Sequence, residues 1–327
     1  MNEPKKIVII GGGTGTFMVL SGLKKYPVDL SAVVAMADSG SSTGKLRDQL
    51  GVLPPGDVRQ CLVALSESDK IMRELFNYRF EDGDFRGHSF GNLLISGLEK
   101  ITGDFEQAVY KAGEILRIKG KVIPVTTTQT NLCADYRDGT SAQSESEIDE
   151  SEEIDKHIES IYLNPPAKIT HNAALAILHA DMIVIGPGDI YTSLGQCLIV
   201  KGVREAIQKS KATKVFNMNL MTKPGQTTHM NARDHVTAIE NWIGPNVIQY
   251  VLMNNKPLDT EMVEVYSLSG VHPVENDLGN GRSFDIIEED FLANGEAKAN
   301  KADMITRSLI RHDSDKIAQQ LNEIAER

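Results

Sequence analysis

A glycine-rich loop follows the first apolar stretch of the sequence and could hold an anion. It reads Gly11, Gly12, Gly13, Thr14, Gly15 and Thr16, directly after residues 6–10, Lys-Ile-Val-Ile-Ile. Glycines in this position let the backbone approach a phosphate, and the N–H groups at the start of a following helix favour anionic oxygen. The loop lacks the Gly-Lys-Ser/Thr ending of a P-loop, and Thr16 replaces the third glycine of the dinucleotide fingerprint. Alone, it leaves phosphate binding and a tight strand-to-helix turn equally open.

Two more polar loops could contribute to the same site. Asp38 follows a second apolar run, where a dinucleotide fold places the acid that holds a ribose hydroxyl. Residues with hydroxyl groups or positive charges come next, Ser39, Ser41, Ser42, Lys45 and Arg47, together with Gly40. A third loop, Pro-Pro-Gly at residues 54–56, is followed by Asp57 and Arg59. Such loops are typical of phosphate or metal-phosphate sites, although a serine-rich stretch could also simply cap a helix.

The scaffold for these loops is predicted by alternating apolar runs and amphipathic segments with glycines at the joints, a pattern of parallel βα units. Strands are predicted at residues 6–10, 31–36, 121–125, 182–185, 215–219 and 247–253. Helices are predicted at residues 17–23, 58–65, 88–98, 172–179, from about 203, and 314–326, the last capped by Ser314, with a polar loop at 38–44. The fold class is therefore α/β, with a Rossmann-like parallel-sheet core in a single domain over residues 1–327.

Composition limits the function classes. The chain has 327 residues, of which 41% are hydrophobic and 24% charged. Its formal net charge of −11 gives it no overall electrostatic attraction to nucleic acid or to anionic membranes. Its three cysteines form no Cys-x-x-Cys pair, which argues against a thiolate metal site and a disulfide framework and favours the cytoplasm. An acidic segment near residues 141–160 is predicted to be exposed and is assigned no chemistry.

Several motifs in one order carry a family resemblance. They are GGGTGT, ADSGSSTGKLRDQLG, LPPGDVRQCLVALS, GHSFGNLL, IGPGDIYTS and NLMTKPGQT followed by DHV. Together they resemble the YvcK family, known as gluconeogenesis factors and related to the CofD-type 2-phospho-L-lactate transferases. The resemblance covers nearly the whole chain and implies CofD-like additions to the Rossmann-like core, with the ligand cleft at the carboxyl ends of the strands.

The resemblance implies a cytoplasmic, non-catalytic regulator that binds a UDP-sugar and is linked to cell shape, peptidoglycan precursor supply and gluconeogenic growth. One alternative is a CofD-like transferase that uses a nucleotide-diphosphate donor and Mg²⁺. A second is an NAD-binding protein, although no acid or base for a hydride site stands out. Self-association into a homo-oligomer is also expected, without a residue-level argument.

The same resemblance adds site residues to those of the three loops: His88, Asn92, Gly186, Gly188, Asp189, Tyr191, Ser193, Asn217, Asn219, Thr222, Tyr266 and Arg311. Arg311 could grip a diphosphate or pair with Asp313 on the surface. His88 could face the cleft or cap a helix, and Tyr266 could stack on a base or lie in the core. His229, Asp234 and His235 lack metal-ligand spacing and are predicted to be structural.

The chain departs from the family pattern at several positions. Where the family usually reads A-D-D-G-G-S-S-G, this sequence has Ser39 for the second acid, Ser41 for a glycine and Thr43 for a serine. The lost carboxylate at Ser39 weakens the metal-dependent transferase alternative. Asp189 stands where a serine is usual, and Gln226 where a glutamate is usual. The extra carboxylate of Asp189 could repel a diphosphate or hold a ribose hydroxyl.

Overall fold

A seven-stranded parallel sheet forms the centre of the protein. The computed structural model describes residues 3–150, 153–279, 283–293 and 310–327. The strands are β1 (Lys6–Gly11), β2 (Asp29–Val34), β3 (Lys121–Pro124), β4 (Asn131–Tyr136), β5 (Ser141–Ala142), β6 (Ile158–Asn164), β7 (Met182–Ile185), β8 (Thr213–Asn217), β9 (Tyr250–Asn254) and β10 (Asp285–Glu289). The central sheet has the order β3-β2-β1-β7-β8-β9-β10. This is the doubly wound dinucleotide order extended by one strand, so the predicted α/β fold class is confirmed.

Helices flank this sheet. They are α1 (Gly13–Leu23), α2 (Ser41–Leu50), α3 (Gly56–Leu65), α4 (Lys70–Asn77), α5 (Phe90–Thr102), α6 (Phe105–Leu116), α7 (Glu145–Asp149), α8 (His171–Leu178), α9 (Gln196–Leu198), α10 (Val203–Lys209), α11 (Ala232–Ile243), α12 (Thr260–Ser267) and α13 (Ser314–Glu326). A π-helical turn, Ile190–Gly195, precedes α9. The longest helices among the described residues have 13 residues, fewer than the roughly 20 that a bilayer crossing needs, and none is a candidate membrane span.

The central strands are buried because helices cover both faces of the sheet. All four residues of β7 are fully buried, as is Ile9 in β1. Such continuous apolar runs are typical of parallel sheets. Helix α1 packs against α3 and α13. The close approach of α1 to α13 depends on Gly22, where a Cβ atom would lie 2.1 Å from the carbonyl oxygen of Ser314.

A small antiparallel sheet, β5-β4-β6, is inserted between β3 and β7 together with α7. It contains the acidic segment near residues 141–160, of which residues 151–152 lie outside the described ranges. Most of the described acidic side chains in this segment are exposed. However, the segment also forms regular structure, and α7 brings acidic side chains to the carboxyl edge of the central sheet, so the prediction that it carries no chemistry needs revision.

Several predicted boundaries need correction. The loop predicted at residues 38–44 is helical from Ser41, because α2 begins there. The stretch predicted as a strand at 215–219 ends at Asn217, which places Asn219 in the following loop. The cap of α13 is Asp313 instead of Ser314, since its carboxylate accepts hydrogen bonds from the N–H groups of Asp315 and Lys316. Helix α13 itself spans the predicted residues.

Candidate functional site

The glycine loop meets the loop after β7 at the carboxyl edge of the sheet. Strand order reverses between β1 and β7, and ligands of doubly wound folds bind at such a switch point. Contact between the two loops is direct: a Cβ atom on Gly15 would lie 2.0 Å from the carbonyl oxygen of Pro187. Helix α1 starts at Gly13, inside the glycine loop. Its N-terminal turn therefore lies against the loop that follows β7.

A cleft of about 790 Å³ opens beside these loops, and we call it the ligand cleft. Eight predicted site residues line it: Thr14, Gly15, Gly188, Asp189, Asn219, Thr222, Tyr266 and Arg311. The Asn219 amide ties two of its walls together, because Nδ2 donates to the Gly188 carbonyl at 3.0 Å and Oδ1 accepts from the Gly188 N–H at 3.5 Å. The volume is typical of a small-molecule site.

Lys223 also lines the cleft, within the motif NLMTKPGQT that the family resemblance places in the cleft wall. Its ammonium contacts the Asp149 carboxylate of α7 and lies 2.5 Å from Oδ2 of Asp189. Burial lowers the pKa of Lys223, but the two carboxylates outweigh burial and raise it above its ordinary value. The extra carboxylate of Asp189 is therefore paired with a cation. Gln226 also donates to Asp149, at 2.9 Å, so α7 is held to the cleft by two side chains.

Three carboxylates form what we call the acidic wall: Asp38, Asp57 and Glu145. The Gly13 N–H donates to Asp57, and a Cβ atom on Gly12 would lie 2.1 Å from Oδ2 of Asp57. Asp38 accepts a hydrogen bond from the Gly40 N–H at 2.9 Å. Thus one N–H at the start of α1 is already occupied by a carboxylate of the protein, and only the remaining N–H groups of the loop can serve a ligand.

Helix α7 supplies the third carboxylate of the acidic wall. Oε2 of Glu145 accepts from the Ser39 N–H at 3.4 Å, and the Ser39 hydroxyl lies 3.1 Å from that of Ser146. Ser39, the residue that replaces the usual second acid, therefore anchors α7. The carboxylate missing at position 39 has a counterpart in Glu145, which no local motif marks because it is 106 residues away in sequence.

The acidic wall favours protonated carboxyl groups. Burial, followed by the charges of Asp38 and Asp149, raises the pKa of Glu145 to about 9. Burial, followed by the Asp38 charge, raises the pKa of Asp57 to about 7, and burial also raises the pKa of Asp38. Groups with such shifts cluster at functional sites, because carboxylates held close together attract protons, cations or hydrogen-bond donors.

The variant Glu145→Gln is expected to flatten the dependence of stability on pH. Because the pKa of Glu145 is higher in the folded chain than in the unfolded chain, the folded chain binds more protons, and the unfolding free energy falls as pH rises from about 5 to about 9. Glutamine removes this ionisation. Urea unfolding followed by circular dichroism at several pH values measures the slope. The exposed Glu150→Gln is the control, and equal slopes for the two variants would contradict the assignment.

Some predicted residues lie behind the cleft, where protein groups hold them. Asn92 is buried, and its Oδ1 accepts from Nε of Arg59 at 3.0 Å. Arg47 donates from Nη1 to Oδ1 of Asn131 at 2.8 Å. The structure thus gives Asn92 and Arg47 roles in packing the elements around the site, and their contact with a ligand stays a prediction.

His88 and Ser42 form a buried pair, with 3.0 Å between Nδ1 and the hydroxyl oxygen. Burial, followed by the charges of Lys45 and Arg79, lowers the pKa of His88, so its ring is neutral at physiological pH. Lys45 itself is exposed. His88 precedes α5, whose cap is Ser89, so His88 does not cap this helix, whereas its hydrogen bond with Ser42 agrees with a structural role.

Tyr191 and Asn217 do not line the ligand cleft. The Tyr191 hydroxyl contacts the sulfur of Met230, and its ring packs edge-on against Trp242. Asn217 is fully buried at the end of β8, and neither of its amide atoms has a hydrogen-bond partner among the described residues. Buried amides are normally paired, so Asn217 is a position where a ligand or water would complete the structure.

The histidines near the loop after β8 have structural partners. The Nδ1 atom of His235 lies 2.8 Å from the Asn231 carbonyl, and Asp234 completes the capping box of α11. His229 lies 3.3 Å from Asp155. Within the described ranges, no group of three or more His, Cys, Asp or Glu side chains is arranged to hold a metal ion.

Comparisons with known proteins agree with this architecture. The family model described as 2-phospho-L-lactate transferase CofD matches residues 7–292. The gluconeogenesis factor of Bacillus subtilis is 37% identical to this chain over 324 residues, which cover 98% of each chain. The gluconeogenesis factor of Halalkalibacterium halodurans is 38% identical over 311 residues, which cover 92% of this chain and 96% of the relative. A crystal structure of a UPF0052 family member from Bacillus halodurans superposes with a TM-score of 0.89 at 36% identity, covering 98% of this chain and all of the other. The chain belongs to the CofD family, alongside the gluconeogenesis factors.

Proposed function

We propose that this protein is a cytoplasmic, non-catalytic regulator that binds a UDP-sugar in the ligand cleft, with the role in cell shape, peptidoglycan precursor supply and gluconeogenic growth that its family resemblance implies. The observation that carries the proposal is the meeting of the glycine loop and Arg311 across one cleft at the switch point of the sheet. A diphosphate needs backbone N–H groups and a cation, and this cleft offers both.

The position of Arg311 supports its role as the diphosphate ligand. Its proposed surface partner, Asp313, uses its carboxylate to cap α13. The neighbouring His312 is buried, and burial lowers its pKa to about 4, so its ring carries no positive charge at physiological pH. Lys223 already compensates Asp149 and Asp189. Arg311 therefore supplies the cleft with positive charge for a phosphate.

The variant Arg311→Met is expected to weaken UDP-N-acetylglucosamine binding by roughly ten- to a hundredfold, because a charge-assisted hydrogen bond contributes roughly 1.5–3 kcal/mol. Isothermal titration calorimetry measures the change. Arg204→Met, at an exposed position of α10, is the control and should bind as the wild type does. Equal affinity of the two variants would remove Arg311 from the proposed site.

The acidic wall favours a second candidate, a CofD-like transferase that uses Mg²⁺ and a nucleotide-diphosphate donor. Mg²⁺ is commonly held by one or two carboxylates together with substrate phosphates, and Asp38 and Asp57 are suitable donors beside the glycine loop. The metal would neutralise phosphate charge, while the chain would position the donor. This candidate differs from the first in requiring Mg²⁺ for nucleotide binding.

A further inference from the structure

We propose that a second, smaller pocket next to the ligand cleft holds the nucleobase of the ligand, an inference that rests on the proposed function. This base pocket has a volume of about 360 Å³. It lies over the ends of β8 and β9, and seven of its eleven lining residues are apolar, among them Leu220, Met253, Leu258, Val263 and Val274, while Lys256 and Thr260 add polar groups. Asn219 and Leu220 line both the base pocket and the ligand cleft, so one molecule can extend through both spaces.

Helix α12 connects the two spaces. None of its side chains is buried in the fold, although it carries several apolar residues. Val263 faces the base pocket, and Tyr266, three residues later on the same side of the helix, faces the ligand cleft. Val265 points away and is 64% exposed. The apolar side of α12 is therefore available to a ligand instead of the core.

The chemistry of the walls favours a heterocycle over a sugar. Two polar wall residues have partners within the protein. Nδ2 of Asn254 donates to the Lys256 carbonyl at 2.8 Å and its Oδ1 accepts from the Phe291 N–H at 3.1 Å, while the Lys256 ammonium lies 3.3 Å from Oδ2 of Asp290. Asn219 is engaged with Gly188. A sugar would bury several hydroxyl groups against apolar walls, which is costly, whereas a base has two apolar faces.

The other side of the glycine loop suits the sugar. The acidic wall offers carboxyl groups, which exchange hydrogen bonds with hydroxyl groups whether they are protonated or ionised. The ligand thus has one direction in the site: base over β8 and β9, diphosphate at the glycine loop and Arg311, and sugar towards Asp38 and Glu145. This direction is opposite to that expected from Asp38 as a ribose ligand of a dinucleotide fold.

The test is calorimetric titration of the full chain with UDP and with UDP-N-acetylglucosamine. Val263→Trp fills the base pocket and should weaken both ligands by the same factor, about tenfold or more. The control Val265→Trp makes the same change on the exposed side of α12 and should leave both affinities unchanged. Circular dichroism checks that both variants are folded.

Wild-type affinity of Val263→Trp for UDP would overturn the base pocket while leaving UDP-sugar binding intact. Absence of UDP and UDP-sugar binding to the wild type would instead overturn the proposed function, and the base pocket with it. If Val263→Trp does not fold, saturation-transfer NMR on the wild type decides. Strong saturation of the uracil H5 and H6 protons relative to the sugar protons is expected, and weak saturation of the uracil protons would overturn the base pocket.

Discussion

Replacement of Gly15 by alanine is expected to weaken nucleotide binding about a hundredfold and to destabilise the protein. The new Cβ atom would lie 2.0 Å from the carbonyl oxygen and 2.7 Å from the carbonyl carbon of Pro187. Both are backbone atoms, so no side-chain rotation can relieve the overlap. Helix α1 must move away from the loop after β7, and the two loops that form the phosphate end of the ligand cleft separate.

The size of the effect follows from this displacement. Overpacking of a well-packed interior costs roughly 1–3 kcal/mol, and a backbone overlap belongs at the upper end. When groups that position a ligand shift by about 1 Å, their contribution can fall by roughly a hundredfold, and we expect a loss of affinity of this size. Calorimetric titration with a UDP-sugar and urea unfolding measure the two losses.

Gly97 provides a matched control for Gly15→Ala. It lies in α5, and a Cβ atom there would meet no atom within 4 Å. Alanine is a better helix former than glycine by roughly 0.5–1 kcal/mol, so Gly97→Ala should stabilise the protein slightly and leave binding unchanged. Nearly equal binding by the two variants would show that the contact between Gly15 and Pro187 does not shape the site.

The variant Lys223→Met is expected to weaken nucleotide binding by about thirtyfold, which corresponds to about 2 kcal/mol. Two carboxylates, Asp149 and Asp189, would lose their shared cation and repel an anionic ligand. Loss of one partner from a fully buried pair costs about 3–5 kcal/mol, but these carboxylates are 37% and 39% exposed, so solvent reduces the stability loss to about 1–2 kcal/mol.

The variant Lys223→Arg tests whether charge is the cause. Arginine keeps the positive charge and should retain most of the affinity, while the exposed Lys211→Met is a control for loss of a lysine elsewhere on the chain. Because the effect is electrostatic, the loss in Lys223→Met should shrink as salt is added. A loss that is equal in Lys223→Met and Lys223→Arg and independent of salt would mean that shape, not charge, is responsible.

Much of the fold could be predicted from local patterns. The strand at residues 182–185 and the final helix have the expected bounds, because a short apolar run and a regular amphipathic period each determine one element. The glycine loop is located correctly after β1, since glycines between a strand and a helix are a strong local signal. Its contact with Pro187 could not be predicted, because the two segments are far apart in sequence and only the strand order brings them together.

The candidate site was harder to predict because its charges pair across long distances. Glu145 and Asp149 lie in a segment whose composition is typical of an exposed loop, yet α7 packs at the cleft through Ser39 and Lys223. A run of acidic residues does not reveal which of its members are partly buried. The sequence left open whether the carboxylate of Asp189 repels a diphosphate or holds a ribose hydroxyl. In the structure this carboxylate pairs with Lys223, so its charge is compensated within the protein.

The proposed function depends most directly on which nucleotide the wild-type protein binds. Calorimetric titration with UDP-N-acetylglucosamine, UDP, GDP and NAD, each with and without Mg²⁺, measures this in one experiment. We predict a dissociation constant for UDP-N-acetylglucosamine below about 1 mM, unchanged by Mg²⁺, and weaker binding of GDP and NAD. No UDP-sugar binding at millimolar concentration would contradict the account, and GDP binding that requires Mg²⁺ would favour the transferase instead.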